Sequence, residues 1–452
     1  VAGEEVVKSK TTGATSKRNR KVMKMKIIRL CVFVAVLIKT ATIELQAQEI
    51  NTSKEFLEEY LVLAAENNPE LRSLFNEYLA ALEKVTQEGT LPDPQMSFGY
   101  FIQPVETRVG AQEATASFSQ MFPWFGTLGA QERVAAERAQ ARLQVFEDAK
   151  LALYKDIKIV YNELYYLKSA IEITEENLEL LSSFKSLAEV QFESGSTGFS
   201  SVLQVEMEEE ELESRLAYLR DSRLPLVTEF EELLNLELQQ PLRFPDNLWE
   251  EELIIEKSSL LEMILARNPR LAQLDHEARS FEEQLTVAKK MGLPSITLGA
   301  SYTNIAPRTD LEPGMALPNN GQDAFIFPQV GIRIPLYRKK YKSMRQEAIL
   351  QQEAVELRRE NLKNELETRL EQLYRDYIDA RRNVELYGRL TTIARQSLEL
   401  FQTELSTGRN NVLEIIRMER QLLNYGLELA RAKTEQNMTV YKINYLIGEN
   451  YE

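Results

Sequence analysis

The residues able to do chemistry are few and poorly spaced for catalysis. The chain has one histidine, His276, and one cysteine, Cys31. A nucleophile needs a base beside it, and no G-x-S-x-G, H-E-x-x-H or Walker loop occurs. A lone histidine makes a poor metal site, so neither a metal nor a cofactor is expected, and the chain reads as no enzyme. Met207, Met344 and Met418 are scattered, which suits gaps in helix packing better than soft-metal binding. The densest charged feature is the set Glu206, Glu208, Glu209, Glu210, Glu211 and Glu213. Such a run reads first as a solvated helix face, with attraction of cations toward an entrance as the functional alternative.

Charge and the amino-terminal pattern narrow the setting. Residues 1–22 begin with Val1 and are polar and basic, and they read as an upstream extension. From Met23 a secretory signal follows: Lys24, Lys26 and Arg29, then the apolar Leu30–Ile38, then Leu45-Gln46-Ala47 as a cleavage site. Nine apolar residues are too few for a spanning helix, which needs about 20. Residues 1–47 hold ten Lys/Arg against three Asp/Glu, a net of +7, so a total of −15 leaves −22 on residues 48–452. That segment also lacks cysteine, and its charge opposes binding to nucleic-acid phosphates.

The elements come in two copies. Asn68-Pro69-Glu70-Leu71 answers to Asn268-Pro269-Arg270-Leu271, and Leu91-Pro92 to Leu293-Pro294. Phe122-Pro123 answers to Ile334-Pro335, and Glu193-Ser194-Gly195 to Ser406-Thr407-Gly408, always in the same order. Each Asn-Pro reads as a helix start, Asn as N-cap and Pro at the first helical position. The repeats are expected over 48–245 and 246–452.

Within each repeat the period switches from two to about 3.6. Met96, Phe98, Tyr100 and Ile102 alternate with Gln95, Ser97 and Gly99, and Ile296, Leu298, Ala300 and Tyr302 with Ser295, Thr297, Gly299 and Ser301. Strands are expected near 94–104, 113–122, 295–304 and 325–335, apolar on one face, as membrane-spanning strands are. Met96, Phe98, Tyr100, Ile296, Leu298 and Ile332 would face lipid, and Ser97, Thr297 and Arg333 the lumen. Two hairpins lying on a soluble helical domain would show the same alternation. The helices favour the first reading. Residues 127–193 and 341–406 are nearly free of Pro and Gly, enough for helices about 100 Å long at 1.5 Å per residue. Leu362, Leu366, Leu370, Leu373, Tyr377 and Ala380 begin a seam close to coiled-coil spacing. Shorter helices are expected over 200–238 and 411–447.

Four strands cannot close a membrane barrel, and an open sheet cannot leave its edges in lipid. Three chains pooling twelve strands would give a barrel wide enough to conduct. The fold class is therefore mainly α with transmembrane β: a trimeric 12-stranded β-barrel on an α-helical periplasmic barrel. Phe122, Trp124 and Phe125 suit an aromatic girdle at the membrane–periplasm boundary.

The ordered duplication, the Phe122-Pro123-Trp124-Phe125-Gly126 and Ile334-Pro335-Leu336-Tyr337 strand exits and the two Gly turns resemble the TolC family of outer-membrane efflux channels. Leu91-Pro92-Asp93-Pro94 and Ser119-Gln120-Met121-Phe122-Pro123 resemble its heavy-metal-efflux branch. The resemblance implies a homotrimer in outer-membrane lipid with its stalk in the periplasm. It also implies a periplasmic adaptor and an inner-membrane pump, of RND type, docked at a tip formed by Gly195, Ser196, Gly198, Gly408 and Arg409. It places a pore constriction at Asn410, Glu414 and Arg417. Glu414 stands where the family carries its first acid, whereas Arg417 departs from the second, so an intersubunit Glu–Arg clamp stands beside an acidic ring and an ordinary solvated helix end. The chain would conduct metal cations or small toxic compounds passively. The rival readings are a polypeptide-secretion channel of the same fold and a periplasmic coiled-coil scaffold without a membrane span.

Overall fold

A computed structural model describes residues 52–245, 247–253, 255–312, 317–406 and 412–449. The extension, the signal segment and Gly408, Arg409 and Asn410 lie outside the described residues. The first repeat begins with helices α1 (Thr52–Asn67) and α2 (Pro69–Glu88), strands β1 (Gln95–Thr107) and β2 (Gly110–Phe122) and the long helix α3 (Thr127–Glu193). It ends with α4 (Phe199–Asp221) and α5 (Arg223–Leu234). The second repeat follows the same order: α6 (Lys257–Arg267), α7 (Pro269–Met291), β3 (Ser295–Ala306), β4 (Ala324–Arg333), α8 (Arg338–Ser406) and α9 (Val412–Ile447). No described helix is long and apolar enough to cross a membrane.

Local chemistry sets the helix starts. The Asn68 side chain accepts from the Leu71 amide at 3.1 Å, and Asn268 from the Arg270 and Leu271 amides at 3.0 and 3.3 Å. Each Pro that follows occupies a position where no backbone donor is required. Asn268 also donates to the Leu446 carbonyl at 2.9 Å, which ties α7 to the end of α9. The helix expected over 200–238 is instead two, broken at Ser222. Pro225 lacks an amide hydrogen and its ring crowds the carbonyl four residues back, so a helix can restart around it but cannot run through it.

The four strands form one antiparallel sheet in the order β1-β2-β3-β4. The hairpins of the two repeats are joined directly, since Phe118 of β2 lies opposite Ala300 of β3, and Phe122 opposite Ile296. β1 and β4 each pair on one side only, and Pro104 and Pro328 fall on these edges, where a missing donor is tolerated.

The stalk carries the core. Leu362, Leu366, Leu370, Leu373, Tyr377 and Ala380 of α8 are buried, six consecutive members of the expected seam. A second cluster packs Tyr60, Tyr161, Phe230 and Trp249 where α1, α3, α5 and the inter-repeat connector meet. The connector is pinned there by polar contacts. The Asn437 amide donates to the Trp249 carbonyl at 2.9 Å and to Asn162 Oδ1 at 3.2 Å, and its oxygen accepts from the Glu251 amide at 2.7 Å. A third cluster fills the far end of the stalk, with Leu181 and Ala188 of α3, Val205 and Leu212 of α4, and Ile416 and Leu423 of α9.

Candidate functional site

Two regions hold the residues singled out above: the sheet and the far end of the stalk. In the sheet, register decides which residues share a face. Met96 pairs with Phe118, Phe98 with Ala116 and Tyr100 with Ala114. Ala116 in turn pairs with Tyr302, and Ile296 lies between Phe122 and Ile332, while Leu298 pairs with Val330. Met96, Phe98, Tyr100, Ile296, Leu298 and Ile332 therefore lie on one face. Ser97, Ser117 and Ser301 are aligned on the other, as are Thr297 with Gly331 and Ser295 with Arg333. The Ser97 and Ser117 hydroxyls share a 2.7 Å hydrogen bond on that polar face. The apolar face stands open in the single chain: Phe98 is 77% and Ile102 91% exposed.

Below the sheet, Trp124 and Phe125 meet edge to face at 6.0 Å. Phe122 belongs to the apolar face through its pairing with Ile296, and Phe125 is exposed. Trp124 borders a cleft shared with Met121 and Arg333, residues whose register is that of the polar face. Gly126 takes a left-handed φ of 75°, which turns the chain from strand to helix, and Lys290 donates to the Phe125 carbonyl beside it at 3.1 Å.

At the far end, Gly195 (φ 72°) closes α3. Its amide donates to the Phe192 carbonyl at 2.9 Å and the Ser196 amide to the Gln191 carbonyl at 2.8 Å, the two bonds of a Schellman turn. An added Cβ would meet nothing within 4 Å, so only the backbone angle demands glycine. Gly198 differs: it caps α4 with an ordinary extended backbone (φ −81°). Ser196 shares a 2.9 Å hydrogen bond with Ser194. Glu414 and Arg417 meet on the first turns of α9, with Nη1 donating to Oε1 at 2.7 Å, and both side chains remain largely in solvent.

The acidic run resolves into individual fates. Lys185 of α3 pairs with Glu209 at 2.7 Å and lies 3.9 Å from Glu206, while Arg420 of α9 pairs with Glu208. These carboxylates join three helices, which the reading as a plain solvated face missed. Periodicity held the signal: the buried positions Ser201, Val205, Leu212 and Leu216 of α4 recur 211 residues later as Val412, Ile416, Leu423 and Leu427 of α9. In that register Glu208 matches Glu419. Glu419 is 2% exposed, and both its oxygens lack a partner. Burial lifts its carboxyl to about pH 7.

Of the remaining residues, Met418 packs beside Phe184, Leu398 and Ile415, whereas Met207 is exposed and fills no gap. His276 Nδ1 contacts Glu137 at 2.8 Å and so links α7 to α3. No described group of His, Cys, Asp or Glu could hold a metal ion.

With this geometry in view, the comparisons with known proteins agree on one architecture. The sequence pattern of a family described as outer membrane efflux protein matches residues 60–235 and 260–449. No curated protein matches at the sequence level. The fold is similar to that of CusC, with 15% identity, 90% of this chain and 96% of that one covered, and a TM-score of 0.70. The outer membrane protein VceC of Vibrio cholerae aligns at 15% identity over 88% of this chain and 98% of its own, with a TM-score of 0.67. The open-state MtrE outer membrane channel of Neisseria gonorrhoeae aligns at 16% identity over 87% and 88%, also with a TM-score of 0.67.

Proposed function

The chain belongs to the outer membrane efflux protein family, and from that premise we propose that three copies form the passive exit channel of a tripartite efflux system. The observation that carries this is the sheet. Its four strands end in two unpaired edges, and one face is lined with Met96, Phe98, Tyr100, Ile296, Leu298 and Ile332. Open edges cannot persist in lipid, nor so large an apolar face in water, so each β1 meets the β4 of a neighbouring copy and the barrel closes. Closure turns the apolar face to lipid and the serines, Thr297 and Arg333 to the lumen. Phe122 and Phe125, with Trp124, then lie where the barrel meets the periplasm. The outward stripe of Leu350, Leu357, Ile393 and Leu400 on α8 supports the same assembly, since these side chains are exposed in one chain.

The stalk reaches about 100 Å from the barrel, so a pump can act only on its far end. Gly195, Ser196 and Gly198, with Gly408 and Arg409, serve as the docking site for a periplasmic adaptor and an RND-type inner-membrane pump. Asn410, Glu414 and Arg417 form the constriction, with the exposed Glu414–Arg417 pair free to exchange partners between copies. Metal cations or small toxic compounds are the cargo, and the energy comes from the pump.

Sedimentation of the purified protein in mild detergent tests the assembly: a trimer is expected, and a stable monomer would overturn the barrel. Growth of a deletion strain on metal salts and on hydrophobic toxicants separates the cargo classes. Equal growth of deletion and parent on both would remove the efflux assignment.

A further inference from the structure

Between α3, α4 and α9, toward the tip end of the stalk, lies a cavity of about 220 Å³ that the channel reading leaves without a role. Three buried acceptor atoms on its wall have no donor among the described residues: both carboxylate oxygens of Glu419 and Oδ1 of Asn177. The Asn177 amide nitrogen is already committed to the Ile173 carbonyl at 2.7 Å. The charged groups around them come from two helices. α4 contributes Glu208, Glu211 and Arg215, and α9 contributes Arg420 beside Glu419 itself. α3 lines the cavity with Asn177 and Leu181 and presents no charge to it, and its Lys185 is paired with Glu209 and lies near Glu206. Two acids and two guanidiniums cancel, so no net positive charge is left to hold Glu419 as an anion.

The duplication explains why. Glu208 is answered by Arg420, but the residue that matches Arg420 in the first repeat is Glu209. A repeat of the same contact would set Glu419 against an acid. Ca²⁺ does not resolve the deficit, since three oxygens are at most half of the roughly six to eight that it takes. One proton does. It removes the buried charge and turns one of the orphan acceptors into a donor.

We propose that Glu419 is a proton-operated latch at the periplasmic end of the stalk: neutral, it lets α3, α4 and α9 pack closed, and ionised, it draws water into the cavity and loosens them. The idea rests on the channel reading, because loosening matters only where these helices frame an entrance. Burial raises the carboxyl from 4.5 to about 7 in the closed packing. Between those values the closed form keeps a proton that an opened, hydrated form releases. Closure is therefore strongest at low pH and weakens as pH rises through 7. Between pH 6 and pH 8 the local opening equilibrium should grow about tenfold.

The full-length protein and its Glu419→Gln variant are compared by amide hydrogen exchange over residues 415–423, each pair at one pH so that intrinsic rates cancel. Glutamine keeps the size and a donor but never ionises. The wild-type excess of exchange over the variant should grow about tenfold from pH 6 to pH 8, and an excess that does not change overturns the latch. Planar-bilayer conductance then reads the gate: the wild type should conduct more at pH 8 than at pH 6, with that rise reduced in Glu419→Gln. Identical pH profiles in the two proteins overturn it as a gate. Absence of any pore in both proteins overturns the channel reading instead, a failure that the exchange result keeps separate.

Discussion

Leu366 and Leu370 of α8 are 2% exposed, sealed within a core built by the chain's own helices, while Phe98 and Ile102 of β1 stand open at 77% and 91%. Both pairs are large and apolar, and both fall on the periodic face their sequence pattern assigns. The difference lies in where the complementary surface comes from. A helix stripe is satisfied by α8 lying against α9 within one chain. The strand face finds nothing among the described residues to cover it, so its surroundings must supply the cover. The core of the stalk is closed by helices of one chain, whereas the strand face is left open by the described residues.

Breaking the stalk should cost most. Leu366→Ala removes a sealed side chain from the α6–α8–α9 core, and a loss of about 2–5 kcal/mol is expected in denaturant unfolding of the detergent-solubilised protein. A loss under 1 kcal/mol would mean that the stalk core also needs its neighbours. Phe98→Arg sharpens the other side of the contrast. It should leave stalk unfolding unchanged but disfavour membrane insertion by about 2–4 kcal/mol if the site lies near mid-bilayer, read as the folded fraction on refolding into lipid vesicles. Normal insertion of that variant would put the apolar face somewhere other than lipid.

Gly195→Ala forces a side chain into a left-handed turn that has room for it, so the expected cost is only the backbone term, about 1–2 kcal/mol. It should appear as faster amide exchange confined to the end of α3, with global unfolding little affected. The same substitution at Gly198, whose backbone is ordinary, should cost only the difference between glycine and alanine at an N-cap, about 1 kcal/mol. The smallest effect on stability belongs to Glu414→Ala and Arg417→Ala, because an exposed ion pair is worth about 0–1 kcal/mol. If the pair holds the constriction closed, both variants should nevertheless conduct more in planar bilayers, with little further gain in the double variant. Unchanged conductance would leave these two residues as a solvated helix end.

Much of the fold was legible because it follows from rules that act over three or four residues. Asn68 and Asn268 announce helix starts through a cap bond to the amide three residues on. The strand faces follow from a period of two, and the seam of α8 from a period near 3.5. The break at Ser222 was also encoded, in Pro225, but the polar character around it hid a boundary that hydrophobic periodicity does not mark. The equivalence of α4 and α9 was present too. It is obscured because the offset between repeats falls from 213 at the glycine turns to 211 in the helices that follow.

The sequence by itself determined the duplicated order of elements, the helix caps, the left-handed glycine at 195 and the division of each strand into an apolar and a polar side. Each depends on neighbours along the chain. Tertiary structure alone decided that β2 pairs with β3, making one four-stranded sheet of two hairpins. It also decided that Glu208 meets Arg420 while Glu419, in the matching position, is enclosed without a partner. Residues about 180 to 210 positions apart meet only through the path of the whole chain. Whether a carboxylate ends in water, against a guanidinium or buried beside a cavity depends on that path, since desolvation and pairing are set by what surrounds a group in space.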